Sequence, residues 1–455
     1  MAENVGNPRM RRKAAKLKKE LGLLDMVLYG TGIIIGAGIY VLVGEAIGIG
    51  GNATWLAFLF GGLIAGLTGL SFAELSSMYT KAAAEYEYVK RAFEDDEFGF
   101  VIGWLTLFAS MFAISTVALG FGEYAGALFG VGPRLAGAGL IIFVGIINYM
   151  GIRHMSRINA VFTGITLLGV LIIIGMGVPK LGTVNYLAMP NGFAGITGAA
   201  ALIFFAYLGF DDIVNVSEEV KDPSIIPKAI VICVAITSAL YALLAVACVS
   251  IVPWDVLGHS SAPLAFVAET MLGPAAFKLL SIFALFSTAS TVLIASVAAT
   301  RMMYGMARAK VMPEHFGRIT REQGTPVISI IYISLFSIFF MTMGGIRTIA
   351  SVTDFLAFLI FGVINLSVIL LRYSNPDAKR LFKVPLVVGR FPVLPFLGFM
   401  FCNYMLFNLD WRMWIFGMSI AIPGLVFYHL GLGKHDKAFG KIVASGLGWK
   451  NLERG

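Results

Sequence analysis

The stretch that decides the fold class runs Gly-Thr-Gly-Ile-Ile-Ile-Gly-Ala-Gly-Ile-Tyr over residues 30–40. It lies inside an apolar run over residues 22–46, which is long enough for one membrane-spanning helix. Each of its four glycines would cost a helix interior about 1 kcal/mol relative to alanine. The pattern therefore predicts a spanning helix that unwinds at its centre or, alternatively, a helix whose small residues permit close packing against a neighbour.

The composition of the whole chain indicates a membrane protein. Of its 455 residues, 58% are hydrophobic and only 13% are charged, and the mean hydropathy is +0.85. Soluble domains carry roughly 25% charged residues, so this chain lacks the charge to cover a water-exposed surface. The basic residues behind the net charge of +8 lie in short segments between apolar runs, which favours a lipid bilayer as the partner and argues against nucleic acid.

Apolar runs of about 20 residues predict an all-α polytopic protein with twelve transmembrane helices. The predicted spans cover residues 22–46, 54–77, 98–129, 134–151, 156–179, 194–217, 227–251, 274–306, 326–344, 348–371, 393–410 and 412–432. An interfacial helix over 81–96 and an outer amphipathic helix over 254–272 each follow the second span of a five-span block. This placement favours a 5+5 inverted repeat followed by two C-terminal helices.

The distribution of lysine and arginine predicts the orientation of the chain. Only Arg134, Lys180, Arg347 and Arg412 fall in outer loops of this map, and nearly all of the other basic residues fall on the inner side. Both termini are therefore predicted in the cytoplasm, with the protein integral to the plasma membrane. The first apolar run is too long and too rich in glycine for a cleaved signal peptide.

The map divides the chain into five segments. They are a basic N-terminal tail over 1–20, the first repeat with spans 6 and 7 over 21–251, spans 8 to 10 over 252–372, spans 11 and 12 over 373–432, and a C-terminal tail over 433–455.

The cysteines and histidines do not indicate an enzyme or a metal centre. All three cysteines lie in apolar runs without a CxxC or Cys/His spacing, and the five histidines are scattered through loops and span ends. The glycine-rich run at 30–40 lacks the preceding strand and the following acidic residue of a dinucleotide fingerprint. We therefore expect no enzyme, no cofactor and no metal beyond a sodium ion.

A second weak point lies in span 6, where the run Phe-Phe-Ala-Tyr-Leu-Gly-Phe over 204–210 leads directly into Asp211 and Asp212. Carboxylates at this depth are costly and usually functional, so we expect one of the two to titrate in a water-filled path and the other to cap a half-helix. Interrupted spans at the start of each five-span block are typical of carriers that bind their substrate near the bilayer midplane.

The break in span 1 predicts recognition by backbone atoms. Freed amides of Gly36, Ala37 and Gly38 would open a half-helix, whose positive dipole end favours a carboxylate. Freed carbonyls around Ile33 and Ile34 would favour an ammonium group.

Several motifs together resemble the amino acid–polyamine–organocation superfamily, whose members have the leucine-transporter fold. The motifs are IGAGIY at 35–40, AELSS at 73–77, AEYEY at 84–88, FFAYLGF at 204–210, SEEVKDP at 217–223 and FKVP at 382–385. The stretch over 204–223 looks most like the cationic amino acid transporter branch and its prokaryotic relatives. The resemblance extends from about residue 21 to residue 432.

The resemblance implies a central amino acid site between spans 1, 3, 6, 8 and 10. The substrate carboxylate would meet amides at Ala37 and Gly38, its ammonium would meet carbonyls of both breaks, and Phe205 would close over it. The candidate substrate-binding residues are Ile33, Ile34, Gly36, Ala37, Gly38 and Ile39 in span 1 and Phe205, Ala206, Leu208 and Gly209 in span 6.

Two ions, a proton or sodium, are candidates for driving transport. In proton-coupled relatives a lysine in span 5 often takes the place of a sodium ion, whereas Thr166 stands at the matching position here. The alternative is sodium itself, held by span 1 carbonyls and span 8 hydroxyls. The coupling candidates are Gly32, Ile35, Thr166, Asp211, Ser287, Ser290 and Thr291.

The expected function is secondary active transport of a small amino acid by alternating access, as a proton- or sodium-coupled symporter. Relatives that prefer cationic amino acids can carry a glutamate in span 3, where this chain has Phe-Ala-Ser at 108–110, so a neutral or apolar substrate is expected. An amino acid exchanger, an ion channel and an amino acid sensor without transport are the alternatives, and the protein is expected as a monomer or a homodimer.

Overall fold

A computed structural model describes residues 22–79, 84–150, 152–211, 213, 220, 222, 224–320, 324–430 and 452–454, with 152–160 and 452–454 described by their backbone. The helices among them are α1 Leu23–Ile34, α2 Ala37–Gly50, α3 Thr54–Met78, α4 Ala84–Phe93, α5 Asp96–Phe129, α6 Pro133–Met150, α7 Ile152–Gly177, α8 Gly192–Ile203, α9 Ile225–Ile251, α10 Trp254–Leu257, α11 Pro263–Leu272, α12 Pro274–Arg308, α13 Val327–Phe340, α14 Ile346–Ser374, α15 Val393–Asn408 and α16 Trp411–His429. Short antiparallel strands pair β1 Arg318–Thr320 with β4 Leu452–Arg454, and β2 Val387–Val388 with β3 Phe391–Pro392.

The described helices are apolar enough for a membrane protein. Eight segments could cross a bilayer: Ala37–Met78, Asp96–Phe129, Pro133–Met150, Val161–Lys180, Ile225–Ile251, Pro274–Arg308, Ile346–Ser374 and Trp411–His429. Shorter apolar helices overlap predicted spans 6, 9 and 11, at Gly192–Tyr207, Val327–Phe340 and Val393–Asn408, and Leu23–Ile34 covers the first half of span 1. The all-α membrane class is confirmed, while the count of twelve spans and the inverted repeat stay predictions.

The helices predicted between spans differ in outcome. Within the predicted range 81–96, α4 covers Ala84–Phe93. The prediction of one outer helix over 254–272 was wrong, because the chain forms α10 and α11 with a gap between them. Pro263 is the first residue of α11. Proline has no N–H to donate and disfavours helical backbone in the residue before it, which favours a helix start at Pro263 over a continuous helix.

The junction between the two halves of span 1 lies in the protein interior. α1 packs against α9, α2 packs against α8, and the two longest helices, α5 and α12, pack against each other. Ile34, Ile35 and Ala37 are buried at the junction of the two halves. The interruption of span 1 is therefore surrounded by protein, which is the condition under which irregular backbone is tolerated at membrane depth.

A buried ion-pair group, here called the Glu74 cluster, joins α3 to the far end of α14. Arg372 donates to both carboxylate oxygens of Glu74, at 2.8 and 2.6 Å. Arg380 Nε lies 3.2 Å from Oε1, and the Val384 amide donates to Oε2 at 2.8 Å. The AELSS and FKVP motifs thus meet in one cluster whose three charged side chains are less than 10% exposed.

Candidate functional site

The first helix break lies between α1 and α2. α1 ends at Ile34, Ile35 leaves helical geometry with ψ 73°, and Gly36 is extended with φ −109° and ψ −154°. The Gly36 amide donates to the Ile34 carbonyl at 2.7 Å, a tight turn in place of a helical hydrogen bond. The predicted interruption of span 1 is confirmed, and it leaves carbonyls at the end of α1 and amides at the start of α2 without helical partners.

The second break follows α8. A single turn of 3-10 helix covers Phe204–Tyr207, and Leu208 then turns to extended backbone with ψ 138°. Gly209 has φ 107°, a conformation that glycine adopts without a steric penalty. The predicted interruption of span 6 is confirmed. Residues 212 and 214–219 are outside the described part of the chain, so the roles predicted for Asp212 lie outside it as well.

The two breaks lie directly against each other. A Cβ placed on Gly38 would stand 2.6 Å from the Ala206 Cα, and a Cβ on Gly209 would stand 2.7 Å from Ile33 Cγ2. Each break therefore presents a glycine to the backbone or side chain of the other. Both contacts are too close for any larger residue without movement of the neighbour.

A tyrosine on α9 links the two breaks. The Tyr241 hydroxyl lies 2.9 Å from the Ile34 carbonyl oxygen and 3.1 Å from the Ala206 carbonyl oxygen, and its proton can be donated to either. Tyr241 was not among the predicted site residues, because a tyrosine within an apolar span has the sequence pattern of ordinary core. Two carbonyls predicted for a substrate ammonium thus accept hydrogen bonds from this phenol in the described conformation.

A threonine on α12 satisfies the first amide of α2. The Ala37 N–H donates to Thr291 Oγ1 at 2.9 Å, and that hydroxyl donates to the Ser287 carbonyl at 3.1 Å. The amides of Gly38 and Ile39 follow at the second and third positions of the helix, where no carbonyl lies four residues earlier within α2. At the start of α2, the Ala37 amide is thus bonded to a threonine hydroxyl, while the Gly38 and Ile39 amides have no acceptor within the helix.

Several predicted coupling residues lie around the first break. Thr291 Oγ1 would stand 2.6 Å from a Cβ on Gly36. Ser287, one turn away on α12, has a fully buried hydroxyl oxygen with no hydrogen-bond partner in the described part of the protein. Ser290 is buried on the same helix. Hydroxyl oxygens of this kind suit a hard cation such as sodium better than a transition metal.

On span 5, Thr163 lies against α1 at Gly32. A Cβ on Gly32 would stand 2.8 Å from Thr163 Cγ2. The Thr166 hydroxyl donates to the Phe162 carbonyl at 2.9 Å, and the Thr166 carbonyl accepts from Tyr40 at 2.7 Å. Thr166 stays a predicted coupling residue, and Thr163 precedes it by three residues, almost one helical turn.

Asp211 lies between the second break and α4. Its Oδ1 accepts the Gly209 amide at 3.1 Å, so the carboxylate closes the turn after the break. Burial, and secondarily the negative charge of Asp211, raises the pKa of Glu85 on α4 to about 7. The negative charge of Asp211 thus acts on a carboxyl group of α4, a helix outside the predicted spans.

Phe205, the predicted closing aromatic, is buried with 5% of its surface exposed. Its carbonyl accepts the Leu208 amide at 3.2 Å. The adjacent Phe204 packs on Phe358 of α14, with ring centroids 4.5 Å apart. The Phe204 ring therefore faces span 10, and the role of Phe205 as the closing aromatic stays a prediction.

The comparisons with known proteins identify the family of this chain. A family model described as amino acid permease matches residues 21–422. The branched-chain amino acid permease BcaP of Bacillus subtilis is 28% identical over 444 residues, which is 92% of this chain and 94% of that protein. The methylthioribose transporter of the same organism is 27% identical over 91% of this chain and 94% of its own length. The b(0,+)-type amino acid transporter 1 of Mus musculus is 29% identical over 92% of this chain and 89% of its own length.

These relatives are transporters and not enzymes, in agreement with the expectation from the cysteine and histidine pattern. The family match covers both breaks, the Glu74 cluster and all of the helices from α1 to α15. The chain belongs to the amino acid permease family of the amino acid–polyamine–organocation superfamily.

Proposed function

We propose that this protein is a secondary active transporter that moves a small neutral or apolar amino acid across the plasma membrane. The observation that carries the proposal is the contact between the two helix breaks, at Gly38 with Ala206 and at Gly209 with Ile33. It places the amide end of one half-helix and the carbonyl ends of two others at one point inside the protein. An amino acid carries one group for each, a carboxylate for the amides and an ammonium for the carbonyls.

Tyr241 supports this assignment. Its proton serves two carbonyls, so a substrate ammonium that approached Ile34 and Ala206 would replace one neutral donor with a charged one. Hydrogen bonds to charged groups are roughly twice as strong as those between neutral groups. Binding of the substrate would therefore compete favourably with the phenol and change how α9 is held to both breaks.

Pairwise packing supports alternating access. Under the inverted-repeat prediction, spans 2 and 7 correspond, as do spans 3 and 8 and spans 4 and 9. Contacts join α3 to α9, α5 to α12 and α6 to α13, which are those pairs. We propose that a bundle containing spans 1, 2, 6 and 7 rocks against the other helices around the breaks, with both termini in the cytoplasm.

A neutral substrate follows from the charges near the breaks. Asp211, the carboxylate that directly follows the second break, already accepts the Gly209 amide. The Ser287 hydroxyl and the carbonyls of Gly32 and Ile35 are the candidate sodium ligands. A sodium-coupled symporter and an exchanger both use the same site and differ only in what drives the movement.

Reconstituted liposomes test the proposal. Purified protein is assayed for uptake of radiolabelled amino acids, with and without a sodium gradient and with and without internal amino acid. We expect saturable uptake of a neutral amino acid, lost in the Gly38→Leu variant. Uptake that requires internal amino acid would identify an exchanger.

Two results would contradict the proposal. Binding without flux would indicate a sensor, and non-saturable flux would indicate a channel.

Competition by methylthioribose, with no competition by any amino acid, would assign recognition to a ligand without a carboxylate or an ammonium group.

A further inference from the structure

α14 carries a carboxyl group in the middle of the protein with no visible partner. Asp354 is the ninth residue of the helix and its side chain is fully buried. Neither of its carboxylate oxygens has a hydrogen-bond partner among the residues that the structure describes. Ionisable side chains inside a membrane protein are rare and usually functional, and an ionised one without a partner is strongly unfavourable.

Asp354 lies on the face of α14 that is turned toward the second break. Asp354, Phe358, Phe361 and Asn365 follow the spacing i, i+4, i+7, i+11 of one helix face. Phe358 and Phe361 both pack on Phe204, with centroids 4.5 and 6.1 Å apart. One turn lies between Asp354 and Phe358, a rise of about 6 Å, so the carboxyl is close to the candidate substrate site.

The inner part of the same face contacts α3. The Asn365 side chain accepts from Ser71 at 2.6 Å and donates to Thr68 at 3.0 Å. Phe355, about 100° around the helix from Asp354, packs instead on Trp414 of α16. On this helix face, Asn365 has hydrogen-bond partners and Asp354 has none among the described residues. The lack of a donor at Asp354 is therefore not a general property of the face.

No described charge compensates Asp354. On α14 itself, Arg347 lies seven residues before Asp354 and is exposed. The charged side chains on the helices packed against this half of α14 are Glu45 on α2, Glu123 on α5 and Arg412 on α16, and none of the four is hydrogen-bonded to Asp354 in the described structure. α8 and α15 carry no charged side chain. The Glu74 cluster and the charges of α4 lie toward the other end of α14, where Arg372 is about 27 Å along the helix.

Three buried phenols on elements that contact α14 donate to backbone carbonyls. Tyr40 donates to the Thr166 carbonyl, Tyr124 donates to the Tyr40 carbonyl, and Tyr207 donates to the Phe58 carbonyl. None of the three hydroxyls is directed to Asp354. The Asp354 carboxyl is thus fully buried, without a hydrogen-bond donor among the described residues.

We propose that Asp354 is the proton-binding site that couples transport to the proton gradient. This inference rests on the proposed function as an amino acid transporter. One proton moves from external water to a carboxylate oxygen of Asp354 when the outer side is open. The neutral acid is then enclosed as the helices close around the substrate, and the proton passes to internal water after the inner side opens.

Proton uptake alongside the amino acid tests the proposal. Liposomes that contain a pH-sensitive dye are loaded with wild-type protein or with Asp354→Asn, which imitates the protonated acid. Substrate uptake and internal acidification are recorded together under an inward proton gradient. Accumulation of the amino acid and exchange of labelled for unlabelled substrate are measured in the same preparations.

For the wild type we expect acidification that depends on the amino acid, and accumulation of up to about tenfold for one pH unit at one proton per substrate. Asp354→Asn should keep exchange and lose both acidification and accumulation. Glu123→Gln, which removes a half-exposed carboxylate from α5, is the matched control and should behave as the wild type. Asp354→Glu, which retains a carboxyl group, should keep proton coupling if Asp354→Asn fails to fold.

Three outcomes would overturn the assignment. Wild-type exchange without any proton movement would remove the coupling role and leave the transporter function intact. Unchanged acidification in Asp354→Asn would place the proton elsewhere. Selective loss of cationic substrates in Asp354→Asn would make the carboxyl a partner for a substrate cation. If the wild type neither binds nor moves an amino acid, the proposed function itself fails.

Discussion

The helix breaks and the Glu74 cluster hold the same bundle by different chemistry. At the breaks, hydroxyl groups of Tyr241 and Thr291 form neutral hydrogen bonds with backbone atoms. At the Glu74 cluster, a bidentate arginine, a second arginine and an amide surround one buried carboxylate. Net loss of a neutral hydrogen bond typically costs about 1 kcal/mol, whereas removal of one partner from a buried ion pair costs about 3–5 kcal/mol.

The difference teaches which part of the molecule can move. Neutral bonds to backbone carbonyls and amides can be exchanged for bonds to a substrate, because the alternative partner supplies the same atoms. A buried charge has no such alternative within the protein. We therefore expect the breaks to rearrange during transport, while the contact between α3 and the end of α14 stays in place.

Removal of the Glu74 carboxylate should have the largest effect. Glu74→Met leaves Arg372 and Arg380 as buried unpaired cations, so we expect a loss of about 3–5 kcal/mol of stability. The thermal midpoint in detergent measures it, with Glu45→Met as the control for a single carboxylate outside the cluster. The double variant Glu74→Met with Arg372→Met should recover part of the loss. A midpoint equal to the wild type in Glu74→Met would mean that the cluster does not fix this end.

Gly38→Leu should abolish transport with a smaller effect on folding. The side chain would meet Ala206, and overpacking of this kind costs about 1–3 kcal/mol. Uptake and substrate affinity are compared with Gly139→Leu on α6, a glycine with no atom within 4 Å of the added Cβ. Affinity at the wild-type level in Gly38→Leu would exclude the contact between the breaks as the binding site.

Thr291→Val tests the amide end of the first break. The Ala37 amide would lose its hydroxyl partner, at a cost of about 1–3 kcal/mol if no water replaces it. If sodium is the coupling ion, stimulation of uptake by sodium should fall at the same time. Thr288→Val, which removes a hydroxyl bonded within α12, serves as the control. Equal sodium responses in the two variants would argue against an ion at this break.

Tyr241→Phe tests the carbonyl end and should cost less, about 0.5–1.5 kcal/mol. The Ile34 carbonyl still accepts the Gly36 amide, so only one of its two bonds is lost. We expect a clear change in the uptake rate and only a small change in the thermal midpoint. Tyr186→Phe removes a hydrogen-bonded phenol far from the breaks and should leave uptake unchanged. If both variants transport equally, the phenol bridge has no part in transport.

Glu85 should give the smallest effect, visible as a pH dependence. Its folded-state pKa of about 7 lies above the value of an exposed glutamate, so the folded protein binds more protons than the unfolded chain between the two values. Stability should therefore fall as the pH rises from about 5 to 7. Thermal midpoints at a series of pH values should show this slope for the wild type and a reduced slope for Glu85→Gln. The exposed Glu94→Gln should leave the slope unchanged.

The positions of both breaks were predictable from the sequence. Glycine in a helix interior is costly regardless of the surroundings, so the pattern at 30–40 has a local cause. The contacts that complete the site were not predictable, because Tyr241 and Thr291 lie in apolar runs that look like ordinary core. Their role depends on which carbonyl or amide lies opposite, and only the packing of α9 and α12 determines this.

Asp354 and Thr163 show two further limits. An aspartate within a predicted span is visible in the sequence, but its lack of a partner is a property of the surrounding helices. Thr163 was not among the predicted coupling residues, because only the packing of α7 on α1 shows that it lies against Gly32, almost one helical turn before Thr166. Helix identity is therefore well determined by composition, while side-chain direction requires the packed structure.

The contact between Gly38 and Ala206 also has a consequence for how this family varies in sequence. The two positions share one small volume, so a larger residue at one is tolerated only if the other becomes smaller. An Ala206→Gly replacement should accordingly rescue Gly38→Ala. The single variant Gly38→Ala should be inactive, whereas the single variant Ala206→Gly should stay active. In an alignment of near relatives, residue size at these two positions should covary, although they lie on different spans.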